Sequence, residues 1–190
     1  MKSRIGSVED IDIIYLEMER EFPPEELKSK RRLKELMSEG YNLRIFEEEG
    51  IIGYMFYLEI DSSNSIWIEY LSVVREKQNQ GYGSKIFIEL LKRDKNIFLE
   101  AEAPDGIDIN KDKRIRFYKR QGCKILDFDY KMPTPEGYMD MKLMTTRNKS
   151  IYEILTSIKY NFNLVHRDLA SCGEVIAMNS ESIKGLGEYF

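Results

Sequence analysis

Apolar positions along the chain change their period, and each change marks an element. From residue 7 to 22, Ile11, Ile14, Tyr15, Met18 and Phe22 recur at helical spacing. Ser7 through Asp10 has the form of a capping box, which satisfies orphan N–H groups at a helix start. Pro23-Pro24 stops this helix. Glu25-Glu26 then suits the first turn of a second one, where carboxylates face the positive end of the helix dipole. Leu33, Leu36 and Met37 give that second helix one apolar face, and Gly40 ends it. The spacing predicts a helical hairpin, with the basic stretch Lys28 to Lys34 as a solvated face.

Beyond Gly40 the period falls to two. Tyr41, Leu43 and Ile45 alternate with polar residues, Glu49-Gly50 reads as a turn, and Ile52, Tyr54, Phe56, Leu58 and Ile60 alternate again. Asp61 to Ser65 is a polar turn, and Ile66 to Val74 is apolar on both faces, as a central strand would be. These three strands form an antiparallel meander. Ile86, Phe87, Leu90 and Leu91 mark a helix to about Asp94, Ile97 to Ala101 a strand, and Lys111 to Gln121 a helix ended by Gly122. Two strands, Cys123 to Tyr130 and Tyr138 to Met144, follow, joined by a segment holding Pro133 and Pro135. The strand–helix–strand run from Ile66 to Ala101 is long enough for a right-handed crossover, which makes its two strands parallel. The expected fold is α/β (α+β): a mixed sheet with helices on both faces. Ile151, Ile154, Leu155 and Ile158 look helical, so residues 146–190 read as a C-terminal appendage to a domain of residues 1–145. It would pack on the domain, close a substrate cleft or pair with a second subunit as a homodimer.

Length and charge narrow the classes. A chain of 190 residues suits one domain. A net charge of -4 argues against nucleic acid as the main partner. No apolar run approaches the ~18 residues of a membrane span, and Met1-Lys2-Ser3-Arg4 is not followed by the apolar core of a signal peptide. Cys123 and Cys172 read as reduced, incidental thiols, and His166 is the single histidine, so no metal site of paired histidines is expected. A cytoplasmic location is expected.

The strongest local chemistry lies in Gln78-Asn79-Gln80-Gly81-Tyr82-Gly83-Ser84, where a central strand runs through a short loop into a helix. Gly81 and Gly83 let backbone N–H groups approach an anion closely, and the helix N-terminus adds unpaired donors and partial positive charge. A pyrophosphate suits such a loop. The P-loop pattern fails, because Gly83-Ser84-Lys85 has Ser and Lys in the wrong order. The dinucleotide fingerprint fails too, because Ile86 stands where a third glycine belongs. The bland alternative is a loop with two turn glycines and no ligand.

Gln78-x-x-Gly81-x-Gly83 resembles the Gln/Arg-x-x-Gly-x-Gly/Ala signature of the GNAT N-acetyltransferases. Arg114-Ile115-Arg116-Phe117-Tyr118-Lys119-Arg120-Gln121-Gly122 looks like the helix end of that family's second motif, an aromatic and a tyrosine followed by a glycine. The element order matches as well, over roughly residues 3 to 145. The resemblance implies acetyl-CoA as acyl donor, its pyrophosphate held by Gln78, Asn79, Gln80, Gly81, Gly83 and Ser84. Main-chain groups of Leu71, Ser72 and Val73 would hold the pantetheine arm where the parallel strands splay. Tyr118 occupies the place of a tyrosine that protonates the leaving thiolate; its alternative is a packed aromatic. Two positions depart from the pattern: Lys111 stands where the family often has Asn, and Cys123 follows Gly122 in place of Phe.

Direct acyl transfer needs a base for the amine and a donor for the oxyanion. Glu69 is the leading base, on the same face of its strand as Trp67, Leu71 and Val73, because a carboxylate in so apolar a strand is costly; its alternative is a surface or salt-bridged glutamate. Glu100 and Glu102 are runners-up, and the backbone N–H near Val73 is the oxyanion donor by analogy. With Asp105 and Asp108 nearby, these acids favour a cationic acceptor. The expected activity is acetyl transfer to a primary amine of a small molecule or peptide. A non-catalytic acyl-CoA-binding module and a protein lysine acetyltransferase stay open as alternatives.

Overall fold

The helical and strand periods are realised almost element for element. The computed structural model describes residues 1–127, 130–134 and 137–165; Pro135, His166 and Cys172 lie outside these. Two compact units are distinguished, one of Met1–Glu59 with Ile66–Lys95, the other of Ile60–Ser65 with the chain from Asn96 onward.

The first unit opens on a strand that its sequence does not announce, β1 (Lys2–Ile5), antiparallel to β2 (Tyr41–Glu47) with Arg4 opposite Ile45. Four mostly exposed residues carry no alternation to read, and their charges suit a sheet edge. The helix α1 (Val8–Glu21) starts as expected. The Ser7 N–H donates to Asp10 Oδ2 at 2.7 Å, and Arg4 grips both Asp10 oxygens at 2.6 and 2.7 Å. The second helix, α2 (Lys30–Ser38), begins later than the acidic pair suggested. The Pro23 carbonyl instead accepts from the N–H of Glu26 and Leu27, closing a turn there, and Ser29 caps the helix by accepting from the Arg32 N–H at 3.2 Å. The basic stretch is only partly a solvated face: Arg31 is 86% exposed in its side chain, but Lys28 only 14%.

β2 pairs with β3 (Ile51–Ile60) antiparallel, Tyr41 opposite Leu58 and Ile45 opposite Tyr54, and β4 (Ser65–Val73) is hydrogen-bonded next to β3. The strand β3 is buried on both faces from Ile52 to Leu58, because Gly53, Met55 and Tyr57 are no more polar than the residues between them. A single 3-10 turn (Arg75–Lys77) and a short loop lead from β4 to α3 (Tyr82–Leu91).

In the second unit, β5 (Asn96–Glu102) lies antiparallel to β8 (Gly137–Thr145), with Glu100 opposite Leu143. The helix α4 (Ile109–Arg120) starts on Asp108, which accepts from the Asn110 N–H at 2.8 Å, and ends at Gly122, whose φ is +92°. The expected strand from Cys123 to Tyr130 is instead two short ones, β6 (Lys124–Ile125) and β7 (Tyr130–Thr134), both on β8. The Leu126 N–H donates to the Leu143 carbonyl at 2.9 Å, and Tyr130 stands opposite Met141. Pro133 belongs to β7 and not to a connecting segment; among the described residues β7 pairs β8 alone, so the missing N–H breaks no second ladder there. The helix α5 (Ile151–Val165) buries Ile154 and Ile158, and Ser157 hydrogen-bonds Ser63 at 3.1 Å. Among the described residues no helix is long and apolar enough to cross a membrane.

Candidate functional site

The glycine loop leaves β4 under tight control. At its root the Val74 N–H donates to the Ile52 carbonyl at 2.8 Å. Gln78 is extended, and its Nε2 donates both to the Val73 carbonyl at 3.1 Å and to Glu21 Oε2 at 2.9 Å. One side chain thereby ties the loop to the end of β4 and to the last turn of α1. Gln80 Nε2 returns to the Glu76 carbonyl at 2.9 Å. Asn79 and Gly81 take positive φ, +60° and +81°, and Gly81 is the residue from which α3 departs. With the chain reversed in this way, Tyr82, Gly83 and Ser84 form the first turn of α3, whose amides have no carbonyl four residues back within the helix. Lys85 Nζ stands 4.7 Å over the Tyr82 ring, and the Tyr82 hydroxyl bonds Glu48, whose carboxyl is held below its usual range by that bond. The loop can present several N–H groups and a helix N-terminus to an anion.

Leu71, Ser72 and Val73 are half-buried at the end of β4. Opposite them, β3 comes unusually near: a Cβ on Gly53 would lie 2.5 Å from the Ser72 carbonyl oxygen. This glycine fixes how close the two strands run where the main chain was expected to bind the pantetheine arm.

Glu69 lies two residues earlier, its side chain only 4% exposed. The acid that is costly in so apolar a strand is paired, as in the salt-bridged alternative to a base. Lys28 Nζ lies 2.5 Å from Glu69 Oε1, and the Tyr41 hydroxyl donates to Oε2 at 3.2 Å. The Lys28 backbone is held too. Its N–H donates to the Tyr70 hydroxyl at 3.2 Å, and that hydroxyl donates to the Glu26 carbonyl at 2.7 Å. Tyr70 is fully enclosed, its pKa pushed up to about 12 by burial. The sequence does not single out Lys28, Tyr41, Tyr70 or Glu21 as site residues. Lys28 and Glu69 are 41 residues apart, and no local periodicity carries a contact of that span.

Glu69, Leu71 to Val73 and Gln78 to Ser84 thus share the first unit, whereas Glu100, Glu102 and Tyr118 belong to the second. Tyr118, on α4, is buried at 8% exposure, and loss of hydration pushes its phenol up to about 12. It is a neutral phenol at ordinary pH. Glu102 is neutralised by Arg114 at 2.8 Å and Lys111 at 3.3 Å, and Lys111 also holds Asp105 at 2.9 Å. Lys111, which departs from the family pattern, therefore serves this acidic loop. Glu100 accepts from the Tyr130 hydroxyl.

Comparison with known proteins gives the loop its context. Residues 10–123 match the Acetyltransferase (GNAT) family. The chain belongs to this family. A curated protein of Bacillus subtilis (strain 168), named "Putative acetyltransferase YjbC", is 31% identical over 157 residues, covering 80% of each chain. Among solved structures, the "Putative acetyltransferase from GNAT family" of Bacteroides thetaiotaomicron superposes with a TM-score of 0.75 at 22% identity, over 87% of this chain and 97% of that one. The ribosomal-protein-S18-alanine N-acetyltransferase of Escherichia coli follows at a TM-score of 0.57 and 17% identity, covering 79% and 96%. A mutant of the spermidine N-acetyltransferase SpeG of Vibrio cholerae reaches 0.59 at 16% identity, covering 76% and 94%. The fold is the GNAT α/β fold expected from the sequence, a mixed and mostly antiparallel sheet with one parallel pair and flanking helices. This GNAT chain is an acyltransferase, of a family whose donor is acetyl-CoA.

Proposed function

We propose that this GNAT chain transfers the acetyl group of acetyl-CoA to a primary amine of a small molecule or peptide by direct attack, in the cytoplasm. The observation that carries the reading is the loop from Gln78 to Ser84, reversed by positive φ at Asn79 and Gly81 and opening α3 just beyond β4. Its amides are assigned to the pyrophosphate, and the main chain of Leu71, Ser72 and Val73 to the pantetheine arm. Glu69 takes the proton of the attacking amine, the N–H near Val73 meets the oxyanion, and Tyr118 returns a proton to the departing sulfur. A phenol pushed up to about 12 keeps its proton until a thiolate calls for it. The Vibrio cholerae and Escherichia coli relatives are named for amine acceptors of very different size, spermidine and a ribosomal-protein alanine. At their low identity they lend the fold and leave the acceptor open between small molecule and peptide.

The test is acceptor-dependent release of CoA thiol from acetyl-CoA over a panel of polyamines, aminoglycosides and amino acids. On a working acceptor, Glu69→Gln should lower kcat by about 10²-fold, the usual weight of a general base. Unchanged turnover would remove Glu69 from the role.

A further inference from the structure

We propose that Lys28 is itself an acetylation site, modified in cis by this chain with Glu69 as the base. The inference rests on the role given to Glu69 above, and adds an acceptor that the protein carries within itself. The Lys28 ammonium already touches the carboxylate that would take its proton, Nζ to Oε1 at 2.5 Å. Both groups are withdrawn from solvent, at 14% and 4% side-chain exposure, so water competes little for either. The lysine backbone is fixed at both ends. Its N–H is held by Tyr70, and its carbonyl accepts from the Tyr15 hydroxyl at 3.3 Å. The Tyr70 ring lies 5.6 Å from Nζ. A nucleophile held in this way has already lost much of the rotational freedom that a free amine must give up. Glu69 precedes Leu71 by about 7 Å of strand, so a thioester delivered along Leu71 to Val73 would end within a side chain's length of Nζ.

The step balances without any further reagent. The Lys28 ammonium gives a proton to the Glu69 carboxylate, and the Nζ lone pair adds to the thioester carbonyl carbon. A C–N bond forms and the C–S bond breaks. CoA leaves as a thiolate that takes up the second Nζ proton, Glu69 releases the first to solvent, and Lys28 is left as a neutral acetamide. Each chain accepts one acetyl group at this site. The product cannot pair ionically with Glu69, so the modification also uncovers that carboxylate for an external amine.

A simple structural ion pair is the rival account, and one experiment separates the two. The full chain is incubated with acetyl-CoA bearing an isotopically labelled acetyl group and no added amine. It is then proteolysed, and label is counted at each lysine by mass spectrometry. Spontaneous chemical acetylation follows exposure and favours lysines such as Lys92, whose side chain is 69% exposed. Directed transfer should label Lys28 about tenfold faster than Lys92, with a rate constant unchanged on diluting the protein, and Glu69→Gln should slow it by about tenfold or more. Labelling that ranks with exposure, or falls on dilution, or is undiminished in a folded Glu69→Gln chain, overturns the inference. Should that variant fail to fold, the ranking and the dilution series decide the matter, with Lys28→Arg, which keeps the charge, as the unlabelled reference. A parallel reaction with spermidine separates this inference from its premise. Acetylated spermidine with unlabelled Lys28 overturns only the cis modification. No transfer to any amine and no thermal stabilisation by acetyl-CoA overturns both.

Discussion

Gly53→Ala tests how the fold shapes the donor site, because the added methyl group has nowhere to go. Its Cβ would stand 2.5 Å from the Ser72 carbonyl oxygen, about 0.9 Å inside the 3.4 Å at which ordinary contact begins. The next neighbours are Ile86 Cδ1 at 3.1 Å and Val73 Cα at 3.3 Å. The isoleucine end can rotate away, but the Ser72 oxygen and the Val73 Cα are main chain, so β3 and β4 must separate. Overpacking of this kind costs about 1–3 kcal/mol. A clash with main chain belongs to the upper part of that range, about 2–3 kcal/mol; replacing a strand glycine returns about 0.5–1 kcal/mol of backbone entropy, leaving a net loss of roughly 1–2.5 kcal/mol. In a chain of this size that lowers Tm by about 2–10 °C. The displaced segment is the one assigned to the pantetheine arm, so KM for acetyl-CoA should rise about three- to tenfold, or roughly 0.7–1.4 kcal/mol. Thermal melts with and without acetyl-CoA read the first effect, and thiol release on a working acceptor reads the second. An unchanged Tm would refute the packing argument. A lowered Tm with unchanged KM would refute the role of Leu71 to Val73.

Other expectations address the loop, the acid and the folded frame. Gly81 has φ +81° and open space around a would-be Cβ, so Gly81→Ala should cost only the ~1–2 kcal/mol of a left-handed L-residue. Gly81→Asp should in addition abolish the stabilisation that acetyl-CoA gives in a thermal melt. Tyr118→Phe should lower kcat by about 10²-fold with KM for acetyl-CoA unchanged, as loss of a group acting only in the transition state; equal turnover would make Tyr118 a packing residue. The Arg4 hydrogen bonds hold Asp10 down from its ordinary 3.8 to about 2. A depressed carboxyl stabilises the fold above its ordinary value and loses that contribution as the pH falls toward 2. Asp10→Asn should therefore flatten the acid limb of a Tm-against-pH curve between about pH 4 and 2; an unaltered limb would contradict the assignment.

Elements that speak through a repeating pattern were legible in the sequence. The helix α1 came with its Ser7–Asp10 cap, β4 with its two apolar faces, and the glycine loop with its place between strand and helix. What escaped was set by partners distant in the chain. The strand β1 is a strand because β2 offers it an edge, and β6 and β7 are each defined by their pairing with β8. The acidic pair Glu25-Glu26 suits a helix start, but the Pro23 carbonyl and the Ser29 cap place that start five residues later, at Lys30. The candidate site divides in the same way. Its loop and strand residues follow from local spacing, while Lys28 reaches Glu69 only because the turn after Pro24 and the hydroxyl of Tyr70 carry it there. Composition marked Glu69 as a costly acid in an apolar strand. It could not say which cation relieves that cost.

The most direct test of the account is to identify the product of the complete reaction. The chain is incubated with acetyl-CoA and a primary amine, and CoA thiol and N-acetylated amine are quantified together by chromatography and mass spectrometry. The account expects one acetamide for each CoA released, with the rate reduced by about 10²-fold in Glu69→Gln. Acetyl-CoA that binds and stabilises the chain, yet yields no acetylated amine across the panel, would contradict it.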